Sequence, residues 1–321
     1  MSALASEISS ETLKQEVAEV DLAVREGRFQ RWLSLLAGTS SILAGLEVTY
    51  EHYRGSYSRR VMYTPVILSG ALVVGGLAGF FSGRAARTLL RYIAIVTLAD
   101  SVTGFYFHVR GIQRKPGGWR LPIVNIIMGP PVFAPLLFGV SAYLGLLASY
   151  LRRGEQDDSK LLPRPAHSGH WGRAITHEHE PINWEQDVRE GRFQKQMAVA
   201  TVISAFFSGF EAWYSHYKNN FRYKVQWTPV LLTPALMGAG IGAVKSPRVA
   251  HTWLPAVSAL AVLNGTVGFG YHVRGVWRRP GGLKKPIYNV VYGPPIFAPL
   301  LFAASGFLGL LASLLRREKQ K

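Results

Sequence analysis

The chain has 321 residues, no cysteine, 36 lysines and arginines against 19 acidic residues, and a hydrophobic share of 48 %. Without cysteine there is no disulfide, no thiol catalysis, no cysteine-held iron–sulfur cluster and no covalent c-type haem. A net charge of +17 on a water-soluble protein would point to nucleic acid; here the basic residues flank long apolar blocks on both sides, so anionic lipid headgroups are the expected partner and nucleic acid is not.

In chain order, residues 1–30 form an acidic, weakly apolar arm that does not read as a cleaved signal peptide. Four apolar blocks follow within 31–153, at 33–53, 62–82, 89–109 and 131–151. A polar linker and second arm, 154–188, carries four histidines in "HSGHWGRAITHEHEP" (167–181) and reads as solvated chain. Four more blocks lie within 189–317, near 197–217, 226–246, 251–273 and 295–315, before a basic tail at 318–321. Each block is about 20 residues long, enough to cross roughly 30 Å of hydrocarbon. The blocks lack both period-2 alternation and a polar face, so the expected class is an all-α integral membrane protein with eight transmembrane helices.

The two halves repeat. Residues 105–153 and 269–317 share 31 identities in 49 positions at a constant offset of 164, and the offset also pairs "REGRF" at 25 and 189, Glu47 with Glu211, and His52 with His216. The expectation is a tandem duplication of a four-helix unit. Because four crossings return the chain to its starting side, the two units run parallel, related by an axis along the membrane normal. Lysine and arginine are almost evenly divided between the two faces, so charge does not orient the chain; the termini are expected to be cytoplasmic because the acidic arm carries no export signal.

Charged residues inside apolar helices cost about 2.5–3.5 kcal/mol each on insertion scales, so the few present require an explanation. Glu47 and Glu211 sit inside the first helix of each half, with Tyr50 and Arg54, or Tyr214 and Lys218, three and seven residues on along the same face. They read either as carboxylates held by a tyrosine and neutralised by a base, or as proton- or cation-handling groups. Asp100 is the third candidate for that role, and its counterpart is Asn264.

His52, His108, His216 and His272 each end a helix above a groove of small side chains: Gly45, Ser41 and Gly38 below His52, Gly104, Ser101 and Thr97 below His108, Gly209 and Ala205 below His216, Gly268, Gly265 and Ala261 below His272. Such grooves either let helices pack closely or make room for a flat cofactor, in which case His52 with His108, and His216 with His272, supply the two axial ligands of a b-type haem. A non-haem metal site is the remaining alternative; one sharing Glu47 with His52 is harder to build, since five residues place the two about 140° apart on the helix.

After "HVRG", a Pro-Gly-Gly turn reverses the chain, and a short apolar stretch that lies in the interface or dips in leads to Gly-Pro-Pro ahead of the fourth helix. Arg110, Arg114 and Asn125, with Arg274, Arg278 and Asn289, lie near that helix start and form a candidate anion site for a lipid phosphate, a haem propionate or a carboxylate. Three functions are compatible with these residues. The first is a redox module with haem or metal in each half, passing electrons between a partner protein and a quinone. The second is an ion- or proton-coupled transporter using the glutamates. The third is a structural or assembly subunit without cofactor.

Overall fold

The computed structural model describes residues 28–151 and 193–315, together with 14–16, 18–19 and 22–23 of the arm. The rest of the arm, the histidine-rich linker and the basic tail lie outside the described residues. Among the described residues all regular structure is helical.

The first half contains α1 (Gln30–Arg54), α2 (Thr64–Phe81), α3 (Arg91–Gln113), the short α4 (Pro122–Ile127) and α5 (Ala134–Ala148). The second contains α6 (Gln194–Lys218), α7 (Thr228–Lys245), α8 (Trp253–Trp277), the short α9 (Pro286–Val291) and α10 (Ala298–Leu314). The bounds of α1, α2, α4 and the end of α3 recur 164 residues later in α6, α7, α9 and the end of α8. Local chemistry explains the shared starts. Proline stands in the first turn of α2, α4, α5, α7, α9 and α10, where a missing N–H costs nothing. The turns after α3 and α8 stand on Gly117 and Gly281, with φ of +78° and +84°, backbone that glycine adopts without a Cβ penalty.

Among the described residues, six helical stretches are long and apolar enough to cross a bilayer: Gln30–Arg54, Arg60–Phe81, Gly83–Gln113, Gln194–Lys218, Lys224–Lys245 and Pro247–Trp277. Only 17 % of the most apolar window of Gly83–Gln113 is buried within the protein. Trp32, Ile67, Leu231 and Trp253 stand about two-thirds exposed. Apolar residues pointing outward on this scale suit lipid rather than water, and the fold is compatible with a multi-pass helical membrane protein.

The fourth helices differ from expectation. Blocks 131–151 and 295–315 become helices of 15 and 17 residues, about 22–26 Å at 1.5 Å per residue. The cause is local: Gly-Pro-Pro keeps the backbone out of the helix until Ala134 and Ala298, since a residue before proline is steered away from the α region. These two short helices are the most enclosed. Leu144, Leu147 and Ala148 of α5 and Leu308, Leu311 and Ala312 of α10 share one buried core with Leu33 and Ala37 of α1 and Met197 and Ala198 of α6. The core therefore runs through both halves.

Candidate functional site

The irregular segments before α5 and α10 gather the repeated polar residues. Away from water each free backbone group needs a partner inside the protein, and side chains supply several. His108 Nδ1 donates to the carbonyl of Pro131 at 2.5 Å, and His272 Nδ1 to that of Pro295 at 2.5 Å. Ser101 Oγ donates to the Pro135 carbonyl at 2.6 Å. Asn125 Nδ2 donates to the carbonyls of Pro116 and Gly118 at 3.0 and 2.7 Å, and Asn289 Nδ2 to those of Pro280 and Gly282 at 3.3 and 2.9 Å. Both asparagines thus brace the Pro-Gly-Gly turn. The anion site expected from sequence loses its amide donors to that turn; Arg114, Arg274 and Arg278 are exposed and Arg110 half-buried.

The start of each short helix carries no capping side chain of its own, because Phe133 and Phe297 occupy the N-cap positions. At the first, the cap comes from the other half of the chain: the Phe133 N–H donates to Glu211 Oε1 at 3.0 Å. A carboxylate there satisfies an orphan donor and meets the positive end of the helix dipole. At the second, Glu47 faces the backbone of Phe297. Its Oε1 accepts from the Tyr50 hydroxyl at 2.6 Å, while its Oε2 is buried with no hydrogen-bond partner. Each half thus directs its glutamate at the break in the other.

The tyrosine beside each glutamate was legible in the spacing, and so was the base, which acts on the carboxylate electrostatically without a direct ion pair. Arg54 pairs with Glu51 at 3.3 Å rather than with Glu47, and the Lys218 ammonium lies 5.1 Å over the Tyr214 ring. Asp100 belongs elsewhere. It accepts from Thr64 Oγ1 at 2.7 Å in a groove between α2 and α3, and Asn264 donates to Thr228 Oγ1 at 2.6 Å in the corresponding place.

The histidines do converge by half. The His216 and His272 rings lie 6.4 Å apart, centre to centre, and His52 is close enough to His108 to interact with it electrostatically. His52 Nδ1 also bonds a backbone carbonyl, that of Met62, at 2.7 Å. The small-residue grooves below them are filled by neighbouring helices. Gly104 and Gly268 lie against Pro135 and Pro299, and a Cβ on Gly265 would come within 2.5 Å of the Pro299 carbonyl oxygen. Gly38 and Gly45 face Gly76 and Ser69 of α2. A porphyrin face does not fit in those grooves as they are packed. No group of three or more histidine, cysteine or acidic side chains with metal-ligand spacing occurs among the described residues.

Sequence reasoning missed the bond between halves, because its partners are 78 residues apart. One signal was present: "GPPVFAP" and "GPPIFAP" start helices without serine, threonine, aspartate or asparagine at the cap, while a carboxylate without obvious purpose stands in each half. Comparison with protein-family models, with curated proteins and with solved structures finds no match.

Proposed function

We propose that the chain is a tandem duplication of a four-helix membrane unit, with all eight helices crossing and the termini on the cytoplasmic side, and that it translocates protons or a small cation through carboxyl groups at the two helix breaks. The observation that carries this reading is the hydrogen bond from the Phe133 N–H to Glu211 across the halves. Interrupted helices at corresponding positions of two repeats, with helix N-termini pointing at a charged group, are how many secondary transporters build their central site. An ionised glutamate caps the other half's helix; a protonated one accepts more weakly and loosens the joint. Proton loading and the fit between halves are then linked at Glu47 and Glu211.

Redox function through haem, the reading placed first from sequence together with its quinone and partner protein, requires the grooves that Pro135 and Pro299 occupy. Translocation requires no such room. A purely structural subunit remains the rival, and flux separates the two. Purified protein in liposomes carrying a pH-sensitive dye should dissipate an imposed proton or cation gradient. Glu47→Gln with Glu211→Gln should reduce that rate at least tenfold with the fold retained. Flux absent in the unaltered protein, or unchanged in the double variant, would contradict translocation through these groups.

A further inference from the structure

The histidines are left over from this reading, and their geometry serves a second purpose. We propose that His216 and His272 bind one copper(II) ion between their Nε2 atoms, and that His52 and His108 form the equivalent site in the first half.

The protonation state follows from the hydrogen bonds. Only a protonated ring nitrogen donates to a carbonyl, so Nδ1 of His272, His108 and His52 carries the hydrogen, directed at Pro295, Pro131 and Met62. Nε2 then carries the lone pair. A backbone carbonyl fixing the far nitrogen is the usual support of a metal-bound imidazole, setting both tautomer and ring orientation.

The spacing agrees. Two imidazoles sharing one ion at about 2.0–2.1 Å from each nitrogen have ring centres about 6 Å apart; His216 and His272 stand at 6.4 Å, with ring planes 82° apart. Both rings are half-buried, at helix ends rather than in the sealed core. Each site has an aromatic wall: Phe221 lies 6.1 Å from His216 and stacks on Trp227, and Tyr57 lies 6.0 Å from His52 and stacks on Tyr63.

The donor set selects the ion. Two imidazoles with no carboxylate or thiolate, completed by water, make a mixed nitrogen and oxygen shell. That shell suits the tetragonal preference of copper(II), which also binds nitrogen sites most tightly in the first-row series. Magnesium and calcium, which take oxygen shells, are excluded by the same donors.

The probe is copper(II) sulfate added to the full chain in mild detergent, with His167, His170, His177 and His179 of the linker replaced by alanine so that only the helical sites are counted. About two copper ions should be retained per chain, with electron paramagnetic resonance showing hyperfine coupling to two imidazole nitrogens. His216→Ala should remove one ion; among the described residues the His216 ring has ring contacts with Phe221 and His272 and no hydrogen bond, so this variant tests the ligand at the smallest structural cost. His216→Asn serves if the alanine variant is unstable. Adding His108→Ala should remove the second ion. Retention unchanged by either His216 variant, or no copper retained after the linker substitutions, would overturn the proposal.

Discussion

The two crossings between the halves are built on one plan and finished differently. At Phe133 the joint is closed: Glu211 accepts the backbone N–H, and the ring stacks on Phe207 at 4.5 Å with Phe206, Phe210 and Phe105 around it. At Phe297 the cage is thinner: Glu47 bonds Tyr50 at 2.6 Å and faces the Phe297 backbone, and the ring contact is with Phe269, at 6.4 Å. The sequence difference behind this is plain. Positions 206, 207 and 210 are phenylalanine, while their counterparts 42, 43 and 46 are isoleucine, leucine and leucine. Equal glutamates thus stand in unequal aromatic surroundings.

The comparison is broken most forcefully at the rings. Phe133→Ala removes four aromatic contacts and should cost about 3 kcal/mol, whereas Phe297→Ala, with its single ring contact, should cost clearly less; thermal midpoints in one detergent compare them. Equal losses would mean that the cage does not hold the joint. Next comes the cap. Glu211→Ala leaves the Phe133 N–H without its partner and should cost about 1–3 kcal/mol, and Glu47→Ala, which removes the acceptor of the Tyr50 hydroxyl, should fall in the same range. A smaller gain tests the reason for the difference. Leu46→Phe, copying Phe210 into the first half, should stabilise the protein by about 0.5–1.5 kcal/mol if it supplies the missing ring contact. Least of all, Asp100→Asn should change stability little, since an amide oxygen still accepts from Thr64 and Asn264 occupies the corresponding place in the second half.

Much of the architecture could be read from local pattern. Apolar blocks of about 20 residues marked six long helices. Small residues below the histidines correctly signalled close approach, as Gly76 shows against Ser34 and Gly38. What local pattern could not supply was the partner on the far side. Glu47 with Tyr50 is a three-residue relation and was visible; Glu211 with Phe133 is a tertiary relation between halves and was not. Arg54 acts on Glu47 at a distance, as helical spacing indicated, while its direct ion pair is with Glu51, three residues away and nearer the surface. The fourth helices were overextended because hydropathy continues through Gly-Pro-Pro although the backbone does not.

Residue-resolved amide hydrogen exchange in detergent tests the joint between halves most directly, because exchange reads the free energy of opening at a single N–H. The account predicts that the Phe133 amide is protected, that Glu211→Ala abolishes this protection, and that the Phe297 amide exchanges faster than Phe133 in the unaltered protein. Equal exchange at the two positions, or a Phe133 amide that stays protected in Glu211→Ala, would contradict it.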